Sequence, residues 1–429
     1  MQLCLTLDHR FLQTPDKKVW TITQCPYNFY REYLAVFDSV RVISRAFPVE
    51  RTEPNFLPVE GPGVEFYAMP GYKGPFGFMN HFASVRKRAR QAVPPGSAVI
   101  LRMPSQVANS VEYWLSRDRH PYGVEVVADP YDVLGPAANR HIVAPIARRY
   151  FTSKLQRQCR QAIAVSYVTK TYLQQRYPPA PGNKEAEAGG AGRLDGTKQY
   201  SVAVSDVNLS PESYVCLPRM ALHDQSSFRI IFVGTLESLY KGPDVLLDAV
   251  GICRRQGVPA RVRFLGIGQQ MPALQKQCER LGLQGEVEFV GSVTAGEPVR
   301  RELDHADLFV LPSRAEGVPR AMLEAMARGL PCVGTTVGGI PELLHQEDLV
   351  PVDDAHALAA VIRESFVNRE RLERMSLRNL RTAHNYSAAV LAEKRQQFFR
   401  AVKELTARAN NGRRQEYYQP LSTSVPAPD

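Results

Sequence analysis

What this chain lacks narrows its class before any motif is considered. No apolar run approaches the ~20 residues of a membrane-spanning helix. The opening residues, Met1 to Leu7, run straight into Asp8-His9-Arg10. They lack the basic start and the length of a secretion signal, so none is expected. There are 7 cysteines, an odd number, and none falls in a CxxC or Cys/His zinc spacing. They read as reduced, mostly buried thiols of a cytoplasmic protein. No internal repeat is present, and no Walker A loop, so solenoids and P-loop enzymes are set aside.

The charge is one-sided, with a net value of +10. Such an excess suits nucleic acid, an anionic membrane surface or acidic substrates. Its densest part is Arg86-Lys87-Arg88-Ala89-Arg90, joined by Arg148, Arg149, Lys154, Arg157 and Arg160 on a second expected helix. No nucleic-acid motif accompanies them, and aromatics are not interleaved as a stacking platform requires. Nucleic acid is therefore not expected as a partner. A solvated helix face and peripheral contact with the inner face of an anionic membrane both stay open.

The 429 residues exceed one ordinary core, so two domains are expected. Hydrophobic content of 44% and charged content of 22% are those of a soluble globular protein. Short apolar runs alternate with amphipathic patterns, which predicts parallel sheets wrapped by helices, an α/β class. Expected strands in the first half are 3–7, 39–43, 98–101, 123–128 and 162–169. In the second half they are 229–233, 261–265, 287–290, 308–311 and 331–333. The Pro/Gly/Ala-rich stretch over 178–198 reads as a mobile surface insertion. A first domain over 1–208 and a second over 209–385 follow. A long helix runs from about 388 to 407, and the proline-bearing tail 410–429 reads as disordered.

The most informative segment is Ser313 to Gly329, which sets Glu316 and Glu324 eight positions apart. Glu316 sits in a Gly/Pro turn. Glu324 lies in an Ala/Met/Leu helix whose Met322, Leu323 and Met326 recur at core spacing. Pro319 suits a first helical position. Gly317 and Val318 precede it, and the free amides and positive end of the helix invite an anion such as a diphosphate. Glu316 would reach what hangs off the far phosphate, and Glu324 a ribose.

A second piece is Val233-Gly234-Thr235 followed by Tyr240-Lys241-Gly242-Pro243. Here a strand ends and a lysine is held just before a helix. Ligands of doubly wound sheets sit outside the carboxyl ends of the strands, so Lys241 is placed to neutralise a phosphate. Gly266 and Gly268 follow another strand, and Val290 ends the next, where a base could lie. Gly338-Gly339-Ile340-Pro341-Glu342 is either a second helix start facing the ligand or a tight turn.

These pieces, in this order, resemble the retaining glycosyltransferases of family four, the glycosyl transferases group 1. The resemblance is specific over about 228–345. It implies a GT-B fold, in which two doubly wound Rossmann-like domains face a cleft and a C-terminal helix, about 386–409, crosses back to the first. It implies transfer of a sugar from a nucleotide-sugar such as a UDP- or GDP-sugar to an acceptor hydroxyl, without cofactor or catalytic metal. Glu316 would meet the transferred sugar, Glu324 the ribose and Lys241 the diphosphate. Retention could use a covalent sugar on a carboxylate or same-face attack. The acceptor, whether glycan, lipid-linked or small molecule, stays open. Where the family carries a histidine in its first domain, this chain has Asp129, which is expected to act in catalysis from the acceptor side of the cleft. His9 and Arg10 after the first strand, with His120, are expected on the acceptor side. A non-catalytic nucleotide-sugar-binding subunit is the alternative.

Overall fold

A computed structural model describes residues 1–135, 144–180, 199–219 and 226–418. The expected insertion falls outside them from 181 to 198, as does the tail from 419 to 429.

The first sheet has nine strands: β1 (Gln2–Gln13), β2 (Val19–Thr21), β3 (Ser39–Pro48), β4 (Leu57–Pro58), β5 (Val64–Pro70), β6 (Ala98–Met103), β7 (Gly123–Val126), β8 (Ala164–Tyr167) and β9 (Tyr200–Ala203). Its parallel part runs β5-β3-β1-β6-β7-β8-β9. The short β2 and β4 add an antiparallel flap to the far end of β1. Around this sheet lie α1 (Arg31–Leu34), α2 (Gly74–Arg90), α3 (Gln106–Arg117), α4 (Pro130–Val133), α5 (Ala144–Gln161) and α6 (Tyr172–Arg176).

The second sheet is parallel throughout, in the order β12-β11-β10-β13-β14-β15. Its strands are β10 (Phe228–Val233), β11 (Ala260–Leu265), β12 (Val287–Gly291), β13 (Leu308–Leu311), β14 (Cys332–Thr335) and β15 (Leu349–Val350). Helices α7 (Pro243–Arg255), α8 (Met271–Arg280), α9 (Glu297–Asp304), α10 (Arg320–Ala327), α11 (Ala355–Val367) and α12 (Arg369–His384) wrap it. The switch in strand order lies between β10 and β13. Crevices form at such switch points, outside the carboxyl ends of the strands.

The final helix, α13 (Ala388–Tyr418), returns to the first sheet. Its Phe398, Phe399 and Val402 are buried with Leu5, Ile100 and Ala164. This helix overruns the expected end near 407, so residues 410–418 are helical rather than the start of a disordered tail. The stretch from Leu391 to Ala409 presents Phe398, Phe399, Val402 and Leu405 on one face, which is why it holds to the sheet.

Two further expectations change. The residues after Leu7 do not leave the sheet. β1 continues to Gln13 past a register shift between Thr6 and Arg10, because β2 and β3 both pair with the extension. Pro319 is the N-cap of α10, with an extended backbone, and Arg320 is the first helical residue.

Candidate functional site

The loops after β10 and β13 meet at the switch point and bring the two separate motifs together. Nζ of Lys241 donates to Oε1 of Glu316 at 2.7 Å, and the Ser313 hydroxyl donates to the same oxygen at 3.0 Å. Both side chains are mostly buried, 14% and 9% exposed. Burial lowers the pKa of the Lys241 ammonium, but Glu316 and then Tyr240 outweigh it and hold it above its ordinary value. The lysine stays charged.

Backbone economy makes this possible. The stem of Lys241 crosses directly over Gly234, where any Cβ would collide with it. Thr235 turns its hydroxyl back to accept from the Glu237 amide at 3.2 Å. Gly266 and Gly268 follow β11 and lie against the same turn, with the Leu236 amide donating to Ile267 O at 2.9 Å. Val290, in β12, is half-buried at the edge of this row.

Arg314 fixes the two loops to each other. It forms a bidentate pair with Asp244 at 2.8 Å on both nitrogens and reaches Asp353 at 2.6 Å. Planar forks of this kind add geometric restraint as well as energy. Nothing in the sequence marked Arg314 beyond its place three residues before Gly317.

Behind Glu316, Gly317 faces Val168 and Val127 of the first domain. The Val318 side chain is in the core of the second sheet, so only its backbone remains for a ligand. Glu324 follows on the second turn of α10. Burial pushes its carboxyl up from the ordinary value, while Arg320 and Arg300 pull the other way.

Gly338 has φ of +57°, and a Cβ there would collide with the Glu316 carbonyl oxygen. The turn it opens ends at Glu342, whose side chain is turned to the first domain. Its carboxylate accepts from the Lys170, Thr171 and Tyr172 amides at 2.6–2.9 Å and from the Thr171 hydroxyl at 3.0 Å. It thereby caps α6 of the first domain.

The acceptor-side residues are placed differently from expectation. Asp129 is buried at 3% exposure and N-caps α4, accepting from the Tyr131 amide at 2.8 Å. It pairs with Arg176 at 2.7 Å and accepts the Tyr177 hydroxyl. Its lone pairs are spent on structure. His120 precedes β7, at the amino edge of the sheet, while the crevice lies beyond the carboxyl edge. His9 bonds Thr21 Oγ1 at 3.0 Å and packs edge-on against Phe11. Arg10 is exposed on the β1 extension. The structure does not gather these four into one site.

A cavity of about 370 Å³ lies elsewhere on the first domain, lined by Cys25, Phe29, Arg102, Glu125, Ser166 and Arg320 among others. Arg102, Glu125 and Ser166 stand in register across β6, β7 and β8. Arg102 pairs with Glu125 at 3.0 Å and with Asp206 at 3.5 Å, and the Tyr33 hydroxyl donates to Glu125 at 3.3 Å. Arg320 reaches this wall from the first position of α10, so the cavity opens beside the helix start that Glu316 precedes.

Residues 227–368 match the family model of glycosyl transferases group 1. Protein CapJ of Staphylococcus aureus is 22% identical over 84% of this chain and 86% of its own length. The putative colanic acid biosynthesis glycosyltransferase WcaL of Escherichia coli is 38% identical, over 39% of this chain and 43% of its own. This chain therefore spans under half of that more similar relative. HepE of Anabaena, solved with UDP and glucose, superposes with a TM-score of 0.59 at 18% identity, covering 92% of this chain and 97% of that one. WaaG, a glycosyltransferase involved in lipopolysaccharide biosynthesis, gives 0.59 at 14% identity, covering 92% and 98%.

Proposed function

We propose that this chain, whose residues 227–368 match the glycosyl transferases group 1 and whose fold is GT-B, moves a sugar from a nucleotide-sugar to an acceptor hydroxyl with retention of configuration. The observation that carries this is the Lys241–Glu316 pair held in front of α10. Breaking a glycosyl–phosphate bond builds charge on the leaving diphosphate. A fixed ammonium and the unpaired amides at the start of α10 oppose that charge without reorganisation, and one such donor is worth roughly 10²–10³ in rate. Lys241 supplies the positive charge, so no divalent metal is needed. Glu316 orients the sugar, and Glu324 takes the ribose hydroxyls.

The acceptor enters the cavity walled by Arg102 and Glu125. Ion-paired side chains beside the ring of Phe29 suit a hydroxylated, partly apolar sugar ring. UDP and glucose are seen in the HepE structures, and relatives are named for colanic acid and amylovoran biosynthesis. Those names support a place in extracellular polysaccharide assembly.

The test is to incubate the protein with UDP- and GDP-sugars, with and without glycan acceptors. Released nucleotide and the anomeric configuration of the product are then followed by NMR. Release that rises with acceptor and gives a retained product supports the proposal. Nucleotide binding with no release under any pairing overturns it.

A further inference from the structure

Away from the cleft, one face of the first sheet carries α2, α3 and α5. The first half of α2 projects Phe76, Met79 and Phe82 into solvent, at 74%, 68% and 49% exposure. The first half of α5 does the same with Ile146 and Tyr150, at 76% and 59%. Between them α3 buries Val107, Ala108 and Val111. It is joined to α2 by the Trp114 indole donating to Arg86 O at 3.1 Å. It is joined to α5 by Gln158 donating to Asn109 Oδ1 at 3.0 Å. The two apolar tips therefore stand on one face. α2 starts just past the end of β5, and α5 follows β7 and α4. Both tips thus lie at the strand-end edge that borders the cleft.

The charge on this face has a single sign. Neither α2 nor α5 contains an Asp or Glu. Together they carry Arg86, Lys87, Arg88, Arg90, Arg148, Arg149, Lys154, Arg157 and Arg160. The carboxylate of α3, Glu112, is buried and answered by Lys154 at 3.6 Å and Arg157 at 3.7 Å. Exposed Asp118 lies past the C-terminal end of α3, at the opposite edge. Arg86 is spent against Tyr113, 3.4 Å from its ring centroid, and Arg148 against Tyr131 at 3.2 Å. Lys87, Arg149 and Arg160 are exposed cations, and Arg90, also exposed, lies over the Trp114 ring at 5.1 Å.

Large exposed apolar side chains rimmed by cations mark an interaction surface rather than a solvated helix. We propose that α2 and α5 dock this domain onto an anionic phospholipid surface, with Phe76, Met79, Phe82, Ile146 and Tyr150 entering the headgroup boundary and the arginines and lysines behind them holding the anionic lipid. The absence of Asp and Glu from both helices suits a continuous negative plane. No described helix is long and apolar enough to cross a membrane, so attachment is by surface contact. The docking does not depend on the transferase reading. Only its consequence, a cleft mouth held at the lipid surface, rests on that reading.

The test uses full-length protein and a binding readout independent of catalysis. It is sedimented with vesicles of phosphatidylcholine alone, or of phosphatidylcholine and phosphatidylglycerol at about two to one. Expected is binding to the mixed vesicles, little to the neutral ones, and weakening by added salt. Phe76→Ser with Met79→Ser and Ile146→Ser, all exposed, should weaken binding at least about tenfold while UDP-induced thermal stabilisation is unchanged. Lys87→Glu with Arg149→Glu should weaken it without touching the apolar tips. Failure to sediment, equal sedimentation with neutral vesicles, or unaltered binding by both variants overturns the proposal. So does salt-sensitive binding of duplex DNA with none to vesicles, which would assign the face to nucleic acid.

Discussion

Lys241 Nζ lies 2.7 Å from Glu316 Oε1, although 75 positions separate the two residues. Ser313 donates to the same oxygen at 3.0 Å, so the protein's own groups fix the orientation of the pair. Removing either partner leaves the other mostly buried without its counter-charge.

Lys241→Met and Glu316→Gln are each expected to lower kcat/KM at least ~100-fold. Glu316→Gln keeps an acceptor for Lys241 and should fold with little change. Lys241→Ala exposes the difficulty of the site, since an uncompensated buried charge can cost about 3–5 kcal/mol. Steady-state kinetics with parallel denaturant melts separates the two effects. Parental kinetics in either folded variant would remove that residue from the mechanism.

Glu324 gives a pH-dependent prediction. Burial raises its folded-state pKa, so the carboxyl keeps its proton to higher pH than an ordinary glutamate. A ribose hydroxyl donates better to the charged form. Nucleotide affinity should therefore rise with pH through a point above the ordinary carboxylate value and fall as the group protonates. Titration calorimetry with UDP and GDP from about pH 5 to 8 reads this directly. Glu324→Gln should flatten the profile and weaken binding by about tenfold.

Asp129→Ala is expected to destabilise the first domain by about 2–3 kcal/mol, because Arg176 and the α4 cap both lose their acceptor. In the protein that remains folded, donor and acceptor KM should stay near parental. Arg320→Ala should do the reverse. Arg320 is exposed, so stability is retained, and acceptor KM should rise several-fold with nucleotide affinity nearly unchanged at a pH high enough to keep Glu324 ionised without Arg320. An acceptor effect from Asp129 and none from Arg320 would exchange their roles.

On the proposed mechanism activity should persist in EDTA, because Lys241 and the helix amides would offset the diphosphate charge that a metal otherwise meets. Loss on chelation, restored by Mg²⁺ or Mn²⁺, would require a different account of the leaving group.

The second sheet was largely legible because its signals are local. The segment from Ser313 to Gly329 carries its own turn, cap and helix periodicity, and Gly234 and Lys241 are seven residues apart. Each loop could be placed at a strand end without knowing its neighbours. The first domain was harder for the same reason in reverse. Arg102, Glu125 and Ser166 come from three strands, and only the sheet register lines them up. A carboxylate before proline, as at Asp129, looks alike whether it caps a helix or faces a substrate; its partners Arg176 and Tyr177 lie more than forty residues on. β5, from Val64 to Pro70, escaped notice because it carries Glu65 on an exposed face and ends at proline. Glu342 gave a motif but not a direction, since the amides it caps belong to the other half of the chain.

The turn from Gly338 to Glu342 touches both halves of the molecule. At one end its backbone presses on the Glu316 carbonyl, and the Gly339 amide donates to Gly317 O at 2.7 Å. At the other, Glu342 grips the start of α6. So short a lever has little slack. Any swing of the first domain that keeps the Glu342 grip is transmitted to the peptide carrying Glu316, and any swing that leaves that peptide undisturbed must break the grip. Relative motion of the two domains is thereby tied, through one five-residue turn, to the peptide that carries Glu316.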